Sequence, residues 1–300
     1  MDVTGITKDL DMQSSNPASM KDLLAVHPKK YLEEFKALSD IDGGLLGLRT
    51  PFARGGFDIA ALSSGLAISA ISDVLKGKYK NSYSLSRPPG HHCLPDYPNG
   101  FCLLANIAVA IEHSIKNKLG KKFCVIDWDV HHGNGTEAIF YNRNDVLTIS
   151  IHQERNYPVD TGMETHQGKQ EGLGYNVNLP LPAGSGHQAY LNLFDRVIDP
   201  IVSNYSPDII IVACGFDAAM IDPLSSMLCS AETFRLLTRK AQKLADEQCN
   251  GKLALVHEGG YSEVYVPCCG HAVLEELSGS HIIAKDPYEE LFNLRQPGSR

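Results

Sequence analysis

Phe123-Cys124-Val125-Ile126-Asp127-Trp128-Asp129-Val130-His131-His132-Gly133-Asn134-Gly135 is the most informative stretch of the chain. Its first four residues form an uninterrupted apolar run, the pattern of a strand buried on both faces. Side chains alternate between the faces of a strand, so Asp127, Asp129 and His131 project to one side as the strand gives out. Two carboxylates and an imidazole gathered at a strand end are costly to bury without a countercharge. A divalent metal is the partner such a set serves. By the same alternation Trp128 faces away from this group and belongs to the core.

The pattern recurs along the chain. Tyr83 to Ser86 leads into Arg87-Pro88-Pro89-Gly90-His91-His92, and Val146 to Ile151 into His152. Ile209 to Cys214 leads into Gly215-Phe216-Asp217, and Leu253 to Val256 into His257-Glu258-Gly259-Gly260-Tyr261. Helical spacing of apolar residues predicts helices over 21–38 (broken at Pro28), 58–77, 103–118, 187–204, 231–249 and 263–277, with a glycine-rich surface loop at 39–57. This alternation predicts an α/β protein: a single-domain, open, mostly parallel sheet with helices on both faces. Ligands then bind beyond the C-terminal ends of the strands, where the polar clusters lie. The expected division is a loose segment 1–20, a domain 21–285 and a tail 286–300.

The length of 300 residues suits such a domain. A net charge of −8 without a basic block excludes an extended nucleic-acid surface. Of eight cysteines, Cys102, Cys124 and Cys214 sit in apolar runs as buried thiols, and no CxxC pair exists. That usage points to a reducing compartment. No apolar run reaches membrane-spanning length, and the N-terminus lacks the features of a secretory signal. The expectation is a soluble protein of the cytoplasm (or the nucleus in a eukaryote) that binds neither membrane nor nucleic acid directly.

His91, His92, Asp127, Asp129, His131, His132, Asp217 and Tyr261 together make a hydrolase inventory. Three of them suffice to hold one catalytic metal. The histidines can work as acid and base, and the tyrosine between flexible residues can reach a polarised carbonyl. Arg-Pro-Pro-Gly-His-His at 87–92, Gly-Phe-Cys at 100–102, Asp-Trp-Asp-Val-His-His-Gly-Asn-Gly-Thr at 127–136, Gly-Phe-Asp-Ala at 215–218 and Glu-Gly-Gly-Tyr at 258–261 resemble the zinc-dependent histone deacetylase superfamily, of arginase/deacetylase-like fold. The details lean to its class II and bacterial deacetylase-like branch. The match runs over roughly residues 20–280 in the family's order.

The resemblance implies roles residue by residue. Asp129, His131 and Asp217 match the metal ligands; the ion is Zn2+, or Fe2+, which accepts the same set. His91 and His92 match the tandem histidines beside the metal, and Tyr261 the carbonyl-polarising tyrosine. Gly100, Phe101, Tyr157, Leu224 and Gly259 match the substrate-binding tunnel, Phe101 and Tyr157 being its aromatic walls. Asp127, Asp129, His131 and Ser150 match a structural potassium site. The implied chemistry is hydrolysis of an acyl-lysine amide by metal-activated water. Asp127 is placed to orient His91, and Asn134 stands where some members carry a second Asp. A neutral Asn134 leaves His92 less basic than His91 and nominates it as general base.

Two substrate classes follow from the resemblance: acyl-lysine in a protein or peptide, and acetylpolyamines or other small acyl-amines. A polyamine needs a carboxylate to meet its distal ammonium, and the family's polyamine-selective form has Glu where this chain has Leu224. That favours acyl-lysine. Against it, Arg49 falls where lysine deacetylases hold the substrate backbone with an Asp, and residues 43–57 contain no carboxylate. Two other readings are a non-catalytic acyl-lysine binder and an arginase-like two-metal site, the latter needing a second Asp/His set that Ala218 to Ile221 do not offer. The segment before residue 20 is shorter than is usual in the family. That predicts a sheet short of an edge strand and leaves room for a homo-oligomer or a partner that completes it. His27, His113, His166, His187, His271 and His281 lie outside the motifs and are expected as surface or satisfied core histidines. His132 is expected to pack, or to donate to a backbone carbonyl, beside the metal.

Overall fold

The computed structural model describes residues 1–297. Its strands are β1 (Gly43–Leu45), β2 (Pro51–Ala53), β3 (Asn81–Ser84), β4 (Phe123–Asp127), β5 (Val146–Gln153), β6 (Asn176–Leu181), β7 (Ile209–Cys214) and β8 (Leu253–His257). Its α-helices are α1 (Met20–Leu23), α2 (Lys29–Ile41), α3 (Gly56–Leu75), α4 (Asn106–Lys116), α5 (Asn134–Phe140), α6 (His187–Leu193), α7 (Asp199–Tyr205), α8 (Ala231–Cys249), α9 (Val266–Ser278) and α10 (Glu289–Arg295). β1 and β2 form an antiparallel hairpin inside the expected loop 39–57. The other six strands form one parallel sheet in the order β3-β8-β7-β4-β5-β6.

The apolar run that opens β4 explains the layering. Cys124 and Ile126 join Leu147, Ile149, Ile210, Val212 and Leu255 on one face, under α6 to α9. Phe123 and Val125 join Val146, Ile209, Ile211, Ala254 and Val256 on the other, under α3 and α4. Both faces are therefore dry, which removes any place for charge until the strands end. Trp128 is fully buried in the first core, as its parity requires.

Several expectations change. The first twenty residues are not loose. Ile6 and Ala18 are buried, Thr4 pairs with His271, and the Ser15 hydroxyl donates to the Gly65 carbonyl. The stretch 286–300 is not merely a tail: α10 buries Phe292 against Tyr265 and Tyr288, while residues 298–300 lie outside the described residues. α3 is long and apolar enough to cross a membrane, contrary to the expectation. Here it is a core helix, with Ala60, Ala67, Ile71 and Val74 buried. β6, α5 and α10 lack clear periodicity, and β6 carries Pro180, which an edge strand tolerates. At the opposite edge, β3 pairs only with β8 among the described residues and borders a groove of about 510 Å³ between α3 and α9.

Candidate metal centre and active site

β4 and β7 are adjacent and parallel, with Asp127 opposite Ala213. Their C-terminal ends therefore deliver Asp129 and Asp217 to the same point. The His131 Nδ1 lies 3.1 Å from Asp129 Oδ1 and 3.0 Å from Asp217 Oδ2. Ligating atoms of Asp129, His131 and Asp217 all fall within 4.8 Å of one another, and all three residues are buried. The backbone fixes the remaining carboxylate oxygens. Asp217 Oδ1 accepts the Val130 N–H (2.8 Å), and Asp129 Oδ2 accepts the Gly259 N–H (2.7 Å). A Cβ on Gly259 would stand 2.3 Å from Asp217 Oδ2, so this close approach requires glycine.

The electrostatics favour positive charge here. Burial pushes the Asp217 carboxyl up, and Asp129 beside it pushes further. Burial would lower His131, yet Asp217 and Asp129 raise it to about 10, so the protein itself draws a positive charge into this point. Two carboxylates and one imidazole are the donor set of a catalytic divalent metal that keeps positions open. The residues present fit such an ion.

The tandem histidines stand beside this centre, their rings 4.0 Å apart. They have unlike partners. His91 Nδ1 donates to Asp127 Oδ2 at 2.9 Å, and His92 Nδ1 donates to the Asn134 amide oxygen at 2.8 Å. Burial lowers both imidazoles. At His91 the carboxylates of Asp129 and Asp127 override it and raise the group well above its ordinary value. At His92 burial and the neighbouring His91 leave it well below. Asp127 also accepts the Asp129 N–H (3.1 Å), so it orients both the histidine and the ligand strand. Ser150 is the register partner of Asp127 across β4 and β5.

The walls are aromatic. The His131 ring lies between Tyr157 (6.3 Å) and Tyr261 (6.4 Å). Phe101 meets Tyr261 at 5.8 Å and is 39% exposed. Tyr157 meets His92 at 5.1 Å. Gly100, at φ 49°, leaves the space for this: a Cβ there would sit 2.4 Å from His92 Cδ2 and 2.7 Å from Tyr157 Cε1. Burial, with Asp217 and Asp129 nearby, holds the Tyr261 phenol protonated and thus a donor. Leu224 is 42% exposed at the rim.

Three supporting residues escape a reading by residue type. Glu258 is fully buried and accepts the N–H of Gly90 and of His91. Its signal was its place in Glu-Gly-Gly-Tyr. Asp222 accepts the Leu224 N–H (2.9 Å) and the Tyr261 N–H (2.7 Å), tying the rim to the tyrosine of the aromatic wall. Glu137, with Thr161, holds His132 by side chains, in place of the expected backbone carbonyl. Outside the motifs, His27, His113, His187 and His271 each have local partners, as expected.

A family profile described as histone deacetylase domain matches residues 1–277. The chain belongs to the histone deacetylase family. It is 50% identical over 299 residues to the histone deacetylase-like amidohydrolase of Pseudomonas aeruginosa, covering 100% of this chain and 79% of that one. It is 37% identical over 268 residues to a probable deacetylase of Archaeoglobus fulgidus, covering 89% and 74%. Among solved structures, that of the HDA15 HD domain superposes with a TM-score of 0.84 at 32% identity, over 94% of this chain and 78% of that one. The histone deacetylase fold and its amide-hydrolysing class thus agree with the buried Asp/His/Asp centre.

Proposed function

We propose that this histone deacetylase-family hydrolase removes acetyl or related acyl groups from lysine side chains of proteins or peptides, with Zn2+ as its metal. The observation that carries the reading is the aromatic slot of Phe101, Tyr157 and Tyr261, which runs from an exposed rim to a buried Asp129/His131/Asp217 centre. A lysine side chain is an apolar arm ending in the scissile amide, and such a slot buries the arm while delivering the amide. The rim supports a peptide over a polyamine, because Leu224 offers no carboxylate to a distal ammonium and Arg49 repels one.

Asp129, His131 and Asp217 would hold the ion, which when bound supplies Lewis acidity to a water and to the amide carbonyl. His92 donates through Nδ1 to Asn134, so its Nε2 carries the lone pair that takes the water proton. His91, kept protonated beside Asp127, is the group placed to protonate the leaving lysine amine. The Tyr261 hydroxyl donates to the carbonyl oxygen as charge develops there. Asp127 and Ser150, with backbone carbonyls of Asp129 and His131, would hold a potassium ion that stiffens the strand end.

The test is acetate release from an acetyl-lysine peptide and from an acetylpolyamine, side by side on zinc-loaded protein. Turnover of the peptide with little of the polyamine is expected. The reverse preference overturns the substrate assignment.

A further inference from the structure

Arg49 is the charged residue at the slot that the hydrolytic chemistry leaves without a task. It lies in the turn between β1 and β2 and is pinned to the loop that carries the aromatic wall. Gly100 N–H donates to the Leu48 carbonyl (3.0 Å), Phe101 N–H to the Arg49 carbonyl (3.1 Å) and Leu48 N–H to the Pro98 carbonyl (3.2 Å). Arg49 holds a left-handed backbone, φ 59°, as does its partner Phe101 at 67°. An arginine in that region is uncommon, and the surrounding bonds over-determine it. The side chain is also placed: its guanidinium carbon stands 5.6 Å from the centroid of the Tyr157 ring, which also packs on His92 and His131. Stacking over an aromatic face restrains a guanidinium without consuming its donors.

Among the described residues nothing uses those donors. Arg143, Arg235 and Arg239 are the arginines with carboxylate partners among the described residues, and Arg49 is not one of them. Residues 43–57 supply no acid of their own. Arg49 is exposed, one aromatic ring above the histidine that faces the scissile bond. An acyl-lysine arm lying along Tyr157 leaves its own backbone and flanking residues at this guanidinium.

We infer that Arg49 selects acyl-lysine substrates that carry a carboxylate next to the modified lysine and disfavours those flanked by cations. The inference rests on the acyl-lysine reading above. The guanidinium fork donates two parallel hydrogen bonds to a carboxylate, a charged bidentate pairing that a neutral or cationic neighbour cannot offer. The chain's net charge of −8 does not cancel this, because exposed charges beyond a Debye length of about 8 Å are screened at physiological salt. The carboxylate has two sources, an acidic side chain beside the acyl-lysine or the free C-terminus of a chain ending in it.

The test uses acetyl-lysine peptides identical except for flanking Glu, Gln or Lys. A further pair ends at the acetyl-lysine with a free or an amidated C-terminus. With zinc-loaded protein the kcat/KM ratio of the Glu to the Lys peptide is expected to be about tenfold, falling towards one as salt is raised. Arg49→Gln should collapse that ratio, Arg49→Glu should invert it and Arg49→Lys should keep its sign. Each ratio is internal to one variant, so a general loss of activity does not disturb it. The free-against-amidated pair assigns the carboxylate to the C-terminus if its ratio collapses with Arg49→Gln, and to a side chain if only the Glu/Lys ratio does. Wild-type ratios near one, or ratios unchanged by Arg49→Gln, overturn the inference while leaving the acyl-lysine activity standing. If even the Gln peptide is not hydrolysed, the acyl-lysine reading has failed and the inference falls with it.

Discussion

Glu258 accepts the backbone N–H of His91 at 3.0 Å, and the same oxygen takes the Gly90 N–H at 2.7 Å. One buried carboxylate thus sets the main chain from which the His91 and His92 imidazoles project. Burial pushes its carboxyl up to about 7, and its other oxygen has no partner among the described residues. Misplacing a reacting group by about 1 Å costs on the order of a hundredfold. Glu258→Ala is expected to lower kcat/KM by roughly ten- to a hundredfold, and Glu258→Gln, which keeps an acceptor, by much less. Equal losses in the two variants, with circular dichroism unchanged, would remove the positioning role.

The Asp129/His131/Asp217 centre predicts a stability effect of metal that does not depend on turnover. A ligand at about a hundred times its Kd stabilises the folded state by about 2.7 kcal/mol. Zinc added to chelator-stripped protein should therefore raise Tm by roughly 5 °C. Asp217→Asn should lose most of that rise. An undiminished rise in the variant would place the ion elsewhere.

Tyr261 has no partner for its hydroxyl among the described residues, although its ring packs on His131 and Phe101. A hydroxyl aimed at developing charge contributes to the transition state more than to the ground state. Tyr261→Phe should lower kcat by about two to three orders of magnitude and leave KM within a few-fold. Steady-state kinetics decide it; a rise in KM with kcat intact would make the phenol a ground-state binding group.

How much of this was legible before the structure varies with the physics involved. The β4 run and the Asp/Asp/His parity that follows it suffice for a dry parallel sheet with its site at the strand ends. Buried strands and ligand sets both leave a mark on residue type and spacing. Gly100 and Gly259 follow from the motifs, but the reason for each, a missing Cβ against His92 or Asp217, is a three-dimensional distance. Glu258 and Asp222 were not legible as supports, because both act on backbone N–H groups, and any residue presents those. β6 leaves no such mark, because Asn176 and Asn178 face Glu137 and break the apolar run.

His92 and Asn134 supply the prediction on pH. The amide oxygen of Asn134 adds a hydrogen bond to His92 but no charge. Asn134→Asp places a carboxylate there, which favours the imidazolium. The base must be neutral to accept a proton, so the acid limb of kcat/KM should move to higher pH by about one unit. A limb that stays in place would transfer the base role away from His92.

His27 ties acid stability to one tautomer. Its Nδ1 donates to the Pro95 carbonyl at 2.7 Å, and its Nε2 accepts the Ala105 N–H at 3.0 Å. A second proton would have to enter at Nε2 and break that bond. Burial accordingly holds the imidazole at about 4, against 6.5 in the unfolded chain, despite the favourable Pro95 contact. The folded value is the lower one, so the contribution is fully present above pH 6.5. Between 6.5 and 4 the unfolded chain binds a proton that the fold refuses, and stability falls by roughly 3 kcal/mol at most. His152 and His257 are also held near 4 by burial and steepen the same window. His27→Gln should therefore flatten the dependence of unfolding free energy on pH between 6.5 and 4 by about one proton, whatever it does to stability at neutral pH. Urea titrations of both proteins across that range measure the slope, and identical slopes would mean that His27 does not stay neutral in the fold.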